Sequence, residues 1–183
     1  MKVASGTVLT DVKVIDPKVY RDDRGFFLET YNQRRFTEAG IDVSFVQDNH
    51  ARSAKGTLRG LHFQRRPGQA KLVRAIAGKV WDVAVDIRPD SPTFGKWEAW
   101  ELDDASMRAL YIPVGFAHGY VALTEAEVVY KVDAFYDPDE EKGFSWNDPD
   151  VGVAWPVDDP ILSQRDQSAP SLRDLFPEAC GRG

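Results

Sequence analysis

Hydrophobic and polar residues alternate along much of this chain, in short runs that end at turn residues. In residues 80–87 every odd-numbered position is apolar, and two of the even-numbered positions are Asp82 and Asp86. Alternation with a period of two is the pattern of a β-strand whose two faces meet different surroundings. Residues 57–64 and 70–76 read as two further strands immediately before this one, so the centre of the chain predicts three consecutive strands.

Weaker patterns predict the remaining elements. The turn sequence DDRG at residues 22–25 predicts a hairpin near the start of the chain. We expect a short helix at residues 33–39, strands at 45–49 and 127–136, and a terminal helix at 170–176. Pro, Asp and Trp dominate the segment before that terminal helix and predict ordered loops there.

Many short strands with little helix predict an all-β fold, an antiparallel sandwich or barrel with a few short helices. No repeat, low-complexity tract or linker divides the chain, so we expect one domain over residues 1–183. Two observations exclude a βαβ nucleotide-binding fold. Helices do not alternate with strands, and no glycine-rich phosphate loop follows a strand.

Composition and net charge exclude several classes of protein. With 43% hydrophobic residues the chain has enough apolar side chains for a substantial core. The net charge of −6 makes a general nucleic-acid or acidic-membrane binder an unlikely class, so we expect neither partner. Cys180 is the only cysteine, which rules out an intramolecular disulfide. We find no signal-peptide core and no run that could span a bilayer, which predicts a cytoplasmic protein.

His62 is the strongest candidate for chemistry. It lies in the first of the three central strands and is the only side chain there that titrates near neutral pH, as a general base should. A cluster of cations surrounds it in the sequence: Arg59, Arg65, Arg66, Lys71 and Arg74. In an acidic protein such a cluster indicates an anionic ligand. Lys71, at the start of the next strand, is placed to stabilise a developing oxyanion.

A metal site is the first alternative, and the pattern argues against it. A metal-binding β-barrel of this kind needs a His-x-His pair on one strand, a nearby carboxylate and a third histidine. The residue two after His62 is Gln64, and no acidic residue occurs between His62 and Asp82. We therefore expect no metal. His50 is expected to be structural, whereas His118 follows a bend between Pro113 and Gly115 and could line a pocket.

Two pairs of side chains allow either a structural or a functional interpretation. Gln47 and Asn49 share one face of their predicted strand and could read the edge of a heterocycle, or simply face solvent. Tyr130 and Tyr136 share a face of the strand predicted at 127–136. Such tyrosines usually pack in a core or at a rim, but one that faces His62 across a pocket could act as an acid.

The motifs together resemble one family. LRGLHFQ, QAKLVR, VWDVAVDIR, IPVGFAHGY, VVYK, WNDP and LSQRD, in this order and spacing, are similar to the dTDP-4-dehydrorhamnose 3,5-epimerases. The resemblance extends over roughly residues 9–175. It implies a cupin-type jelly roll, a homodimer, no metal or organic cofactor, and a dTDP-4-keto-6-deoxy sugar as substrate.

The resemblance also implies roles for individual residues. His62 matches the base that removes protons beside the C4 ketone, and Asp166, which no local pattern singles out, matches its carboxylate partner. Tyr130 matches the acid on the opposite face, Lys71 the group near the C4 oxygen, and His118 a pocket residue.

Further matches concern the nucleotide. Tyr136 matches the aromatic residue that stacks on thymine. The other matching positions are Arg24, Glu29, Gln47, Asn49 and Arg59 for the nucleotide and diphosphate, and Glu141 and Arg165 for two more contacts. Strict alternation poses a difficulty, because Arg59 and His62 are three residues apart and should face opposite sides. A bulge at Gly60 would turn both toward one pocket.

Three other functions stay open on sequence grounds. A relative that epimerises only C3 or C5 in another deoxysugar pathway would share most of these motifs. A metal-dependent cupin enzyme would contain metal after purification. A non-catalytic nucleotide-sugar binding module would bind the ligand without exchanging its protons.

Overall fold

Two antiparallel sheets packed face to face form the frame of the protein. The computed structural model describes residues 1–181. The first sheet has six strands, in the order β1 (Lys2–Ser5), β2 (Lys13–Asp16), β10 (Ala109–Ile112), β7 (Lys71–Ala77), β12 (Ala126–Val132) and β5 (Gln47–Ser53). The second has five, in the order β13 (Glu141–Gly143), β6 (Leu58–Gln64), β11 (Phe116–Ala122), β8 (Lys79–Asp86) and β9 (Trp97–Asp103). This arrangement confirms the predicted antiparallel sandwich and agrees with the jelly roll that the resemblance implies.

The remaining elements are short. A separate hairpin joins β3 (Val19–Asp22) to β4 (Gly25–Leu28), as the DDRG turn predicts. The helices are α1 (Gln33–Glu38), α2 (Gln164–Gln167), α3 (Leu172–Leu175) and α4 (Pro177–Cys180). Within the described chain no helix is long and apolar enough to cross a membrane.

Alternation along β8 divides its side chains between two cores. Val80 and Ala84 point between the sheets, where they meet residues of the first sheet such as Val73. Val83 and Val85 point to the other side, into a second cluster that the C-terminal segment covers. Asp82 and Asp86, which share the face of Val80 and Ala84, are therefore carried into the interior.

The predicted strand at residues 127–136 is too long. Strand β12 ends at Val132, because the next residue leaves the ladder: the Asp133 carboxylate accepts a hydrogen bond from the backbone N–H of Ala70. Tyr136 therefore does not share a strand face with Tyr130, and this prediction was wrong. The structure also adds β13, which pairs with β6 in a region predicted as loops.

A β-bulge at Gly60 places Arg59 and His62 on the same side of β6. His118 pairs with His62, and Tyr120 pairs with Arg59, so one residue of β11 stands opposite two residues of β6. Gly60 has a φ of 137°, and a Cβ atom built on it would lie 2.5 Å from the Cα of Gly119. The bulge expected from the sequence is thus confirmed, and it requires glycine at this position.

We expect Gly60→Ala to lower the free energy of unfolding by about 2–4 kcal/mol, because the new methyl group adds a clash to an unfavourable φ. Thermal or urea denaturation measures this loss. Gly25→Ala is the matched control, since Gly25 has a φ of 131° but no atom within 4 Å of a built Cβ. Equal losses in the two variants would show that the close approach to Gly119 contributes nothing.

Candidate active site

A cavity of about 650 Å³ opens on the side of the sandwich to which Arg59 and His62 point. Both sheets contribute to its lining, as does the segment that leads into α2. Eleven of the thirteen residues expected from the sequence line it: Gln47, Asn49, Arg59, His62, Lys71, His118, Tyr130, Tyr136, Glu141, Arg165 and Asp166. Residues scattered over the whole chain are thus brought together in one place.

His62 and Asp166 form a hydrogen-bonded pair in the cavity wall. The Nε2 atom of His62 lies 2.6 Å from the Oδ1 atom of Asp166, which is buried on α2. Burial disfavours the ionised form of Asp166, but the hydrogen bonds of His62 and Ser163 and the nearby cationic groups together outweigh it and lower the pKa of this carboxyl group. Ser163 caps the helix and accepts a hydrogen bond from the backbone N–H of Asp166, which fixes its position.

The pairing also determines which nitrogen of His62 is available. When Nε2 donates its proton to the carboxylate, the lone pair remains on Nδ1, so Nδ1 is the basic atom. A Cβ atom built at Gly143 on β13 would come within 2.9 Å of the His62 ring. The imidazole is thus held by a carboxylate at one nitrogen and by close backbone packing beside it.

A second histidine–carboxylate pair lies next to the first. His118 faces His62 across β11 and β6, and its Nε2 atom is 2.9 and 3.0 Å from the two carboxylate oxygens of Asp82. Asp82 is completely buried. Sequence reasoning did not assign Asp82 to the site, although alternation along β8 places it on the interior face.

Lys71 is a buried cation, and the nearby carboxylates only partly offset the loss of hydration of its ammonium group. Only 8% of the residue is exposed. Burial lowers the pKa of its ammonium group to about 8, although the carboxylates of Glu141, Asp82 and Asp133 act in the opposite direction. The group therefore carries its charge at neutral pH and loses it at mildly alkaline pH. It is well suited to stabilise an anionic oxygen in the cavity.

Tyr130 lines the same cavity from the first sheet. Burial raises the pKa of Tyr130, and nearby Tyr120 and Glu141 raise it further. The phenol is therefore protonated at neutral pH and can donate a proton.

Arg59 is held in place by residues that the sequence did not indicate. Its Nε donates to the Oγ of Ser53 at 3.1 Å, and the same Oγ lies 3.1 Å from the hydroxyl of Tyr120. A second guanidinium nitrogen donates to the backbone carbonyl of Arg52. Ser53 is buried at the end of β5, six residues before Arg59. The two residues lie in different sheets, so alternation along a single strand could not have identified their contact.

The polar groups at the rim also bond to one another. Arg165 donates to Glu141 at 2.6 Å. The side-chain amide of Gln47 donates to Asn49 at 2.9 Å and accepts from the backbone N–H of Tyr136 at 3.1 Å. Gln47 and Asn49 do share a strand face, as alternation predicted. Part of their hydrogen-bonding capacity is used on each other and on the backbone of Tyr136.

Two expected residues lie outside the cavity of their own chain. Arg24 is at the tip of the β3–β4 hairpin, with a 90% exposed side chain, and pairs with Asp22. Glu29 follows the hairpin and pairs with Arg35 at 3.0 Å. Neither Arg24 nor Glu29 therefore lies near the eleven expected residues that line the cavity.

The residues around His62 do not form a metal site. Gln64 uses both ends of its amide on the backbone: it donates to the carbonyl of Phe135 and accepts from the N–H of Asp137. Across residues 1–181 no group of three or more His, Cys, Asp or Glu side chains is arranged to hold a metal ion. His50 pairs with Glu127 on the surface, as expected of a structural histidine.

Comparisons with known proteins agree on one family. A family model described as dTDP-4-dehydrorhamnose 3,5-epimerase matches residues 6–174. The chain is 52% identical over 179 residues to a Pseudomonas aeruginosa protein of that name, covering 95% of this chain and 99% of the relative. It is 44% identical over 158 residues to a dTDP-4-dehydrorhamnose 3-epimerase of Streptomyces niveus, covering 85% of this chain and 76% of the relative.

Comparison with solved structures points to the same family. The 3,5-epimerase of Legionella pneumophila, in complex with dTDP-4-keto-L-rhamnose, superposes with a TM-score of 0.93 at 42% identity. The alignment covers 97% of this chain and 96% of the Legionella chain.

We expect the ammonium group of Lys71 to titrate near pH 8, because its burial outweighs the attraction of the surrounding carboxylates. NMR of protein labelled at the lysine side-chain carbons, with the signal assigned through Lys71→Met, measures this pKa. Glu141→Gln removes one attraction and should lower the pKa further. A midpoint at the ordinary lysine value of about 10.4 would contradict the buried position of the ammonium group.

Proposed function

This chain belongs to the dTDP-4-dehydrorhamnose 3,5-epimerase family, and we propose that it inverts C3 and C5 of dTDP-4-dehydro-6-deoxy-D-glucose. The product is dTDP-4-dehydro-L-rhamnose, on the route to dTDP-L-rhamnose. The observation that carries this proposal is the His62–Asp166 pair at 2.6 Å, in one cavity with Lys71 and Tyr130.

His62 acts as the base. A C–H bond beside a ketone is acidic because the electrons left behind spread onto the carbonyl oxygen as an enolate. The Nδ1 atom of His62 takes the proton, and the ionised Asp166 stabilises the imidazolium that forms. Since both C3 and C5 flank the C4 ketone, one base can serve both carbons. Between the two steps the sugar ring moves, His62 releases its proton to solvent and Tyr130 takes one up.

Lys71 stabilises the enolate. Negative charge collects on the C4 oxygen when the proton leaves, and a buried ammonium group beside that oxygen is more effective than one in water. The pKa of about 8 keeps Lys71 charged at neutral pH before the substrate binds. His118, fixed by Asp82, lies on the same wall and is proposed to contact the sugar.

Tyr130 delivers the new proton. It reaches the cavity from the first sheet, whereas His62 reaches it from the second, so the two groups approach a bound sugar from different sides. Inversion requires removal on one face and delivery on the other, which this arrangement supports. The raised pKa of Tyr130 keeps its proton available until the enolate forms.

The outer part of the cavity is proposed to bind the nucleotide. Arg59 supplies a fixed guanidinium group for the diphosphate. Tyr136, which is exposed at the rim, supplies a ring for stacking on thymine. Gln47, Asn49, Glu141 and Arg165 complete this outer part.

We further propose that the enzyme is a homodimer in which the second copy completes the nucleotide site. Arg24 and Glu29 lie away from the cavity of their own chain, beside the exposed rings of Phe26 and Phe27. Such a patch on a projecting hairpin is suited to packing against another chain. The same hairpin would bring Arg24 to the partner's cavity. The free thiol of Cys180 fits a proposed cytoplasmic location, which is reducing.

A one-carbon epimerase is the second candidate, and the 3-epimerase of Streptomyces niveus supports it. Such an enzyme would use the same base and the same enolate. The two functions differ in the number of carbons that exchange and invert.

Incubation with the dTDP-4-keto sugar in heavy water tests the proposal. We expect deuterium at both C3 and C5, with both centres inverted; deuterium at one carbon would identify a one-carbon epimerase. His62→Ala should reduce exchange by a factor on the order of 10²–10⁴, because the enolate no longer forms. Tyr130→Phe retains the base but lacks the donor, so it should still exchange protons while inverting poorly.

Two results would contradict these assignments. A folded His62→Ala variant that exchanges both protons at the wild-type rate would remove His62 as the base. Normal inversion of both centres by Tyr130→Phe would remove Tyr130 as the acid and leave the base unaffected.

Light scattering tests the dimer. We expect twice the mass of one chain, and we expect Phe26→Ser combined with Phe27→Ser to shift the protein toward the monomer with weaker binding of dTDP. Val8→Ser, at another exposed apolar residue, is the control and should remain dimeric. A fully active monomer at working concentration would refute this part of the proposal.

A further inference from the structure

Tyr136 lies outside the strands, and within residues 1–181 its side chain is bonded to the sheets only through its hydroxyl, which contacts Glu141 of β13. Strand β12 ends at Val132, four residues earlier, and about half of Tyr136 is exposed to solvent. A ring that stacks on a base gains most when it is already in position, because ordering a loop during binding costs free energy. Other contacts must therefore hold the backbone around Tyr136.

Gln64 supplies those contacts from the other sheet. It is the last residue of β6 and is only 6% exposed. Its Nε2 donates to the carbonyl of Phe135 at 3.3 Å, and its Oε1 accepts from the N–H of Asp137 at 3.2 Å. One side-chain amide thus bonds to the residues immediately before and immediately after Tyr136.

We propose that Gln64 is a positioning residue for nucleotide recognition, whose amide clamps the backbone on both sides of Tyr136 and holds the ring ready to stack on the base. The proposal rests on the function proposed above, in which Tyr136 contacts thymine. Gln64 itself does not touch the nucleotide; it acts through Tyr136.

The chemistry of the position favours glutamine. The clamp needs one donor and one acceptor on the same uncharged side chain, which glutamine and the shorter asparagine provide. A carboxylate would face the carbonyl of Phe135 without a proton to donate, and an apolar side chain would leave two backbone groups without their partner. The need for both a donor and an acceptor explains why residue 64 is a glutamine.

Residues for proton transfer and for nucleotide binding depend on the same strand. Gln64 and His62 are two residues apart on β6 and point to the same face. The strand that carries the proposed base therefore also carries the clamp, which fixes the position of the stacking ring relative to His62. Gln47 adds a third bond, to the N–H of Tyr136.

The test is the affinity for dTDP, measured by calorimetry. Gln64→Met keeps the length of the side chain and removes both hydrogen bonds. We expect dTDP to bind about three- to tenfold more weakly, with kcat at saturating substrate unchanged. Gln33→Met, at an exposed amide outside the cavity, is the matched control and should bind dTDP normally.

A double-mutant cycle separates a clamp from a general structural role. Once Tyr136→Ala has removed the ring, Gln64→Met should cause no further loss of affinity, since Gln64 acts only through that ring. Independent, additive losses would overturn the proposal. If Gln64→Met does not fold, Gln64→Glu, which keeps the length of the side chain but lacks the donor for the carbonyl of Phe135, takes its place in the same cycle.

The outcomes distinguish this inference from the proposed function. If Tyr136→Ala weakens dTDP binding and Gln64→Met does not, the clamp is refuted and stacking stands. If Tyr136→Ala leaves the affinity unchanged, stacking and the clamp are both refuted. Neither outcome alters the deuterium exchange that tests His62 and Tyr130.

Discussion

The need to pair buried charges governs the structure of the cavity. Removing a carboxylate or an ammonium group from water costs several kcal/mol unless partners replace the lost solvation. Asp82 has His118, Asp166 has His62, and Asp86 is bonded by Arg88. Lys71 is the exception: none of residues 1–181 forms an ion pair with it, and burial lowers its pKa to about 8. A substrate that develops negative charge beside Lys71 would supply the partner that the protein does not.

The sequence predicted the parts of the fold that depend on local patterns. The three central strands, the first hairpin, helix α1 and the bulge at Gly60 follow from alternation and from turn and cap residues, and the structure confirms them. The end of β12 did not follow from the sequence, because residues 133–136 continue the alternation. Side-chain amides, not a neighbouring strand, bond to the backbone of residues 134–136. Strand β13 is only three residues long, too short for a period to show.

In the candidate site, too, local sequence patterns did not predict which residues contact each other. Asp166 is 104 residues from His62, and nothing near it in the sequence indicates the contact; the family resemblance alone suggested it. Asp82 lay on a correctly predicted strand face, yet its partner His118 comes from a strand paired only in three dimensions. The contact of Ser53 with Arg59 and the clamp by Gln64 likewise depend on how the two sheets pack against each other. Residue types could be inferred locally, but partners required the fold.

Strand β13 has a consequence beyond its length. It occupies the edge of the second sheet, so β6, with His62, is an inner strand bonded on both sides. Edge strands invite pairing with other chains, and the charged Glu141 and Lys142 in so short a strand discourage it. A slip of β6 by one residue would turn every side chain on it to the opposite face. Three residues at the margin of the sheet thus block strand addition at this one edge and keep the imidazole facing inward.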